Sequence, residues 1–236
     1  MKKALILCVL LTVITPFFGE TVKLHMMQTN GALYSKNDSG NLVAAIAIHA
    51  GSEYEILTRK NDDGKTVLDE IVTKRIVDKD LIDCRAYHVS YNNKDYYLLS
   101  DRVSLEKNYG IITKDTAIYR SPDYADVNDA ILATGTFITY SSDEIVLPIN
   151  TTIIDTTKGF RKITYFDMNS YTKKIGYIKQ SNVASSKDDL KALQLLAKLK
   201  TLSDVEMKRE LLKTASSFNV STGISSLLKS AENSLQ

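Results

Sequence analysis

The sequence is poor in the residues that build disulfide scaffolds and metal centres. Its 236 residues include two cysteines, three histidines and no tryptophan. A disulfide scaffold would carry several cysteines in even number, so we expect Cys84 to be a small buried side chain or, in the alternative, a reactive thiol. No cysteine–histidine spacing typical of a zinc site occurs. The sequence therefore predicts stability from ordinary apolar cores, with no metal and no other cofactor.

The chain also lacks a large excess of charge of either sign. It carries 30 lysines and arginines against 28 aspartates and glutamates, and two of the lysines, Lys2 and Lys3, lie at the N-terminus. A nearly neutral protein has no net positive field to attract DNA, RNA or an anionic membrane. The charge balance therefore predicts that nucleic acid is not a partner.

The N-terminus has the features of a secretory signal. Lys2 and Lys3 are followed by a run of about fifteen mostly apolar residues and then by Gly19 and Glu20. Such a run is short for a bilayer span, which needs about 20 residues. We predict a signal peptide over residues 1–19, cleavage between Gly19 and Glu20, and export to the periplasm or cell envelope without a transmembrane span. The alternative is an uncleaved N-terminal anchor helix.

A weak internal repeat organises the rest of the sequence. The segments "GALYSK" and "AGSEYEI" return roughly 80 residues later as "TAIYRSPD" and "TGTFITY". The spacing from Tyr34 to Gly51 differs by one residue from that between Tyr119 and Gly135. We predict two β-rich units over residues 20–107 and 109–184. Within the first unit we expect a strand break at Gly51, a hairpin at Asn92-Asn93, and a long loop or extra hairpin over residues 58–84.

From Ser185 onward the apolar residues recur at helical intervals. Ser186 is a candidate N-cap for a first helix, Ser203 and Glu206 fit a capping box for a second, and a third follows Ser221. We predict a helical tail of two or three short helices over residues 185–236. Its apolar stripes either pack on each other and on the second β unit or dock a partner protein.

The motifs of both units resemble those of bacterial SH3 (SH3b) domains. The second unit carries the family pattern at Ile118-Tyr119 with Pro122, Thr134-Gly135-Thr136, Lys162-Ile163-Thr164-Tyr165, Gly176-Tyr177-Ile178, Ser181 and Val183. The first unit carries it at Leu33-Tyr34, Gly51-Ser52, His88-Val89-Ser90-Tyr91, Tyr97 and Val103, but lacks the proline and has Asp95 or Tyr96 in place of the hairpin glycine. The resemblance covers residues 28–184.

This resemblance implies a fold and a class of function. It implies a mainly β protein with two small SH3-like barrels in tandem, followed by the helical tail. SH3b domains commonly occur in envelope proteins that target peptidoglycan or recognise peptide segments. We therefore expect an exported, non-enzymatic envelope protein that binds cell-wall peptidoglycan or an envelope protein. The alternative is a scaffold or adhesin-like protein whose C-terminal helices recruit a partner.

Tyrosine is the residue type best suited to ligand contact here, since the chain has thirteen tyrosines. A tyrosine ring offers a flat apolar face and a hydroxyl, which suit sugar rings or extended peptides. Six tyrosines at corresponding places in the two units are the candidate ligand-binding residues: Tyr34, Tyr91, Tyr97, Tyr119, Tyr165 and Tyr177. In the alternative interpretation these rings fill the small barrels.

The sequence offers little for catalysis. His88 follows Cys84 by four residues, and the Asp-Cys pair at this point is similar to the start of a motif in cell-wall cysteine peptidases. The Ser-Gly that should follow the cysteine is absent, and no second histidine follows downstream. There is no glycine-rich phosphate loop either. We therefore predict no catalytic residue.

Overall fold

The structure, a computed structural model, describes residues 22–148 and 159–235. The predicted signal segment 1–19 and its Gly19–Glu20 cleavage site lie outside these residues. The described chain is mainly β, with three helices at the C-terminal end. None of the helices in the described ranges is long and apolar enough to cross a membrane.

The first β unit is built around a ring of strands. Strands β2, β3, β7, β8 and β9 form this ring, and a single parallel residue pair, Leu42 with Arg75, closes it between β3 and β7. Strand β1 lies between β4 and β10 in a separate three-stranded sheet. The bounds are β1 Lys23–Met26, β2 Gly31–Lys36, β3 Leu42–Ile48, β4 Glu53–Glu55, β5 Thr58–Lys60, β6 Thr66–Leu68, β7 Glu70–Val77, β8 Asp80–Tyr91, β9 Lys94–Leu99 and β10 Val103–Ser104.

The second β unit is one seven-stranded sheet. Its strand order is β13-β12-β16-β15-β14-β11-β17, and its core is rich in isoleucine, including Ile112, Ile138 and Ile163. The bounds are β11 Asn108–Ile112, β12 Thr116–Tyr119, β13 Val127–Leu132, β14 Phe137–Tyr140, β15 Phe160–Asp167, β16 Thr172–Lys179 and β17 Val183–Ala184.

The two units share a glycine turn with the same backbone hydrogen bonds. The Gly51 N–H donates to the Met26 carbonyl at 2.8 Å, and the Gly135 N–H donates to the Ile112 carbonyl at 2.7 Å. Both glycines have positive φ, +79° and +87°, a backbone conformation that residues with a side chain rarely adopt. The strand break predicted at Gly51 is confirmed, and glycine is required at the corresponding position of each unit.

The strand pairing is duplicated as well. Tyr34 on β2 lies opposite Tyr97 on β9, and Tyr119 on β12 lies opposite Tyr177 on β16. Strand β1 pairs with β4 and β10, as β11 pairs with β14 and β17. The internal repeat of the sequence is therefore also a repeat of backbone topology.

The turns of the first unit follow from their residues. Asn92 and Asn93, with φ of 51° and 58°, join β8 to β9, which confirms the predicted hairpin because asparagine tolerates positive φ at such turns. The segment 58–84 contains the β5–β6 hairpin, strand β7 and the first part of β8. An extra hairpin therefore forms there instead of a long loop, and β7 with β8 makes a long two-stranded ribbon.

Three helices form the tail: α1 Lys187–Leu199, α2 Val205–Ser216 and α3 Thr222–Asn233. The Ser186 hydroxyl caps α1 as predicted, accepting from the backbone N–H of Asp188 at 3.1 Å. The predicted Ser203 capping box is wrong. Asp204 caps α2 instead, because its carboxylate accepts from the Met207 N–H at 2.9 Å and aspartate caps as well as serine.

The helices pack on each other and on the second β unit. Their shared core consists of Ala192, Leu199, Leu212, Ala215, Ile224 and Leu228, together with Ile111 of β11. The apolar stripes of the tail are thus buried within the chain, which is the first of the two alternatives for the tail.

Apolar contacts and hydrogen bonds join the two β units. Met27, Phe137 and Phe166 form a buried apolar cluster between them. The ammonium of Lys173 donates to the carbonyls of Ser100 and Val103 at 2.9 and 2.6 Å, and burial lowers the pKa of this lysine. These contacts fix the β15–β16 hairpin against the first unit.

A histidine buried at the same interface predicts a loss of stability in acid. His25 on β1 is 5% exposed, and its ring lies 5.7 Å from that of Tyr109 and 6.0 Å from that of Phe137. Burial lowers the pKa of His25 below its usual 6.5. The unfolded chain then binds a proton more readily than the folded one, so stability falls as the pH drops below about 6.5.

The free energy of unfolding, measured with urea between about pH 5 and 8, checks this expectation. The wild-type curve should fall toward acid by up to about 1.4 kcal/mol per pH unit from this group alone. His25→Phe keeps an aromatic ring and removes the titration, so it should flatten that fall. An unchanged slope in His25→Phe would mean that another group causes the acid sensitivity.

Candidate functional site

Three aromatic rings form a row across the first unit. Tyr34 on β2 lies opposite Tyr97 on β9, which in turn lies opposite His88 on β8. Residues directly opposite each other on paired strands project from the same face of the sheet. The His88 ring stacks on the Tyr97 ring with centroids 5.0 Å apart and an interplanar angle of 13°. We call these three residues the aromatic row.

A carboxylate fixes the imidazole at the end of the aromatic row. Nδ1 of His88 lies 2.8 Å from Oδ2 of Asp69, and the His88 backbone N–H donates to the Asp69 carbonyl at 2.8 Å. Because a carboxylate oxygen can only accept, Nδ1 is the donor of this hydrogen bond. Nε2 has no hydrogen-bond partner within the described ranges and lies 3.5 Å from Oδ1 of Asp95. The histidine is thus held in one orientation.

Apolar and charged side chains surround the aromatic row. The tyrosine rings pack against the buried Leu42, Ala86 and Leu99. The ammonium of Lys36 lies 4.8 Å from the centroid of the Tyr97 ring, a cation–π distance. The row therefore combines half-buried aromatic rings, an apolar base and polar groups at its edge.

The other candidate of the first unit, Tyr91, lies outside the aromatic row. It is exposed and meets the rings of Tyr54 and Tyr96 edge-on, at centroid distances of 5.8 and 6.3 Å. Burial raises the pKa of Tyr54 to about 12. Tyr91 thus belongs to a second aromatic group of the same unit.

The second unit presents much less aromatic surface at the matched positions. Tyr119 is 6% exposed because the rings of Phe160 and Tyr124 lie 4.9 and 6.2 Å from its own. Tyr165 is 3% exposed within the isoleucine-rich core, and burial raises its pKa. The rings of these two tyrosines therefore fill the core of the unit, as in the alternative interpretation of the sequence. Tyr177 is half-buried, and Lys162 takes the place that His88 has in the first unit.

Cys84 and His88 do not form a nucleophile–base pair. Both lie on β8, and four residues of strand separate them by about 13 Å. Cys84 packs beside Leu42 and Ala86, and burial raises the pKa of its thiol, which disfavours the reactive thiolate. Among the described residues, no group of three or more histidine, cysteine or acidic side chains is placed to hold a metal.

Sequence reasoning missed Asp69 and Lys36 as parts of this site. Asp69 lies 19 residues before His88, within the segment 58–84 for which the sequence predicts a long loop or extra hairpin. Lys36 ends β2, two residues beyond Tyr34 and therefore on the same face. The strand pattern could have indicated Lys36. No local signal could have indicated Asp69.

Comparison with known proteins identifies no family. No protein-family profile and no curated protein matches this chain. Among solved structures, the structure of NlpC2 from Trichomonas vaginalis is similar with a TM-score of 0.23 and 15% sequence identity. The similarity covers 77% of this chain and 56% of that one, so this chain spans little more than half of NlpC2. A likeness of this size carries no conclusion about fold or activity.

Proposed function

We propose that this protein is an exported, non-enzymatic envelope protein that binds peptidoglycan or an envelope protein through tandem SH3-like units. The duplicated glycine turns and the duplicated tyrosine pairs support two copies of one small module. The aromatic row of Tyr34, Tyr97 and His88 is the observation that carries the binding function.

The chemistry of the aromatic row suits an extended polar ligand. Stacked rings offer a flat apolar surface to a sugar ring or a peptide, while the Tyr34 and Tyr97 hydroxyls can form hydrogen bonds. Asp69 holds the imidazole in place before the ligand arrives, which reduces the cost of ordering it on binding. Because Tyr119 is buried, the first unit provides most of the affinity and the second unit adds less.

Co-sedimentation of the purified protein with isolated bacterial cell walls tests this proposal. Tyr97→Ala removes the central ring and should weaken retention about tenfold, the loss typical of one well-packed aromatic contact. Tyr177→Ala makes the same change at the matched position of the second unit and should weaken retention much less. Thermal unfolding confirms that both variants fold.

Two results would count against the proposal. Absence of wild-type protein from the cell-wall pellet at both low and moderate salt would remove the peptidoglycan version, leaving an envelope protein as the ligand. Equal retention of wild type and Tyr97→Ala would show that the aromatic row is not the contact surface.

A further inference from the structure

A groove of about 590 Å³ lies where the glycine turns of both β units meet the helical tail. Small-molecule sites have volumes of about 300–1,000 Å³. The first unit contributes the turn around His49, and the second unit contributes the turn around Gly135. Helices α1 and α3 supply the apolar lining, principally Leu190, Leu193, Leu196, Leu227 and Ala231.

The glycine turns bring the leucines of the tail close to the β units. A Cβ atom on Gly135 would lie 3.0 Å from Cδ2 of Leu193 and 3.1 Å from Cδ1 of Leu227. A Cβ atom on Gly51 would clash with Cδ1 of Leu190. The leucine-rich floor of the groove is therefore fixed by close packing on two turns of defined shape.

The polar groups of the groove favour a ligand that carries a negative charge. No aspartate or glutamate lines it, although the chain has 28 of them. The side chain of Lys200, at the C-terminal end of α1, has no hydrogen-bond or ion-pair partner among the residues that the structure describes. Nδ1 of His49 is buried in the same region without a hydrogen-bond partner, again counting only described residues. Lys200 lines the groove and is exposed, so its ammonium can pair with the carboxylate of a bound ligand.

We propose that this groove binds one molecule of an anionic amphiphile, an unbranched apolar chain with a single carboxylate. The chain lies along the leucines of α1 and α3, and the carboxylate pairs with the ammonium of Lys200. This site is separate from the aromatic row, and the proposal does not rest on the proposed envelope function.

Fluorescence titration of the full protein with a dansyl-labelled undecanoic acid tests the site. A parallel titration uses the methyl ester of the same probe, which has no charge. The acid should bind with a defined one-to-one stoichiometry, and more tightly than the ester. Lys200→Glu should weaken binding of the acid by about tenfold and leave the ester unchanged, because it replaces an attraction by a repulsion. Lys198→Glu makes the same charge change on an exposed residue outside the groove and serves as the matched control.

A filling substitution tests the apolar part separately. Ala231→Phe places a ring in the groove and should abolish binding of both acid and ester, with thermal unfolding showing that the variant folds. The proposal would be overturned by equal affinity of wild type for acid and ester. It would also be overturned by equal weakening in Lys198→Glu and Lys200→Glu, or by a folded Ala231→Phe that binds both probes as well as wild type.

Discussion

Gly223→Ala should separate helix α3 from the second β unit and destabilise the protein by about 3 kcal/mol, the upper range for overpacking. A Cβ atom on Gly223 would overlap the backbone carbonyl of Thr113, which a side-chain rotation does not relieve. Helix propensity alone predicts the opposite sign, since alanine is more stable than glycine in a helix by about 1 kcal/mol. A loss of stability in Gly223→Ala would therefore show that packing against Thr113 dominates, and a gain would show that helix propensity dominates.

Urea unfolding measures this change. Lys229→Ala, at an exposed position of the same helix, should change the free energy of unfolding by less than about 0.5 kcal/mol. A Gly223→Ala variant as stable as wild type, or more stable, would show that α3 does not pack on Thr113 as described.

Asp189→Ala should cause a loss of similar size, about 2–4 kcal/mol. Asp189 lies in the first turn of α1 and is 1% exposed. Its Oδ1 accepts from the backbone N–H of Ser221, the N-cap residue of α3, at 2.8 Å. The carboxylate therefore joins the starts of two helices, where the helix dipoles favour negative charge. Alanine would leave the Ser221 N–H without its acceptor.

Two further variants define the cause of that loss. Asp189→Asn keeps an acceptor oxygen and should recover most of the stability. Asp188→Ala removes the neighbouring carboxylate, which accepts from the Asn219 N–H at a longer 3.3 Å, and should cost less than about 1 kcal/mol. If Asp189→Ala unfolds at the same urea concentration as Asp188→Ala, the buried carboxylate is not what holds α3 to α1.

Local sequence signals predicted the elements whose causes are local. The sequence predicts a strand break at Gly51, and the structure has φ of +79° there, a value that glycine adopts readily. The turn-prone asparagine pair at 92–93, flanked by short β-rich runs, predicts a hairpin, and both asparagines have positive φ in the structure. Helical periodicity and the Ser186 cap predicted α1. In each case neighbouring residues alone decide the backbone conformation.

Features that depend on contacts between distant residues could not be predicted from local sequence patterns. The cap of α2 lies one residue after the predicted Ser203, because serine and aspartate are both good caps and the local sequence does not distinguish them. Burial of Tyr119 depends on Phe160, which lies 41 positions further along the chain. Tyr119 and Tyr34 therefore occupy the same position in the repeated motif but differ in exposure. The Asp69–His88 pair likewise joins the residue between β6 and β7 to strand β8.

The most direct test of the binding function is chemical-shift mapping of the isotope-labelled protein during titration with soluble peptidoglycan fragments. The account predicts that the largest shifts occur at Tyr34, Tyr97 and His88, with smaller ones at Tyr177. Shifts confined to surfaces away from both tyrosine pairs would contradict it, and no shifts even at high fragment concentration would exclude peptidoglycan as the ligand.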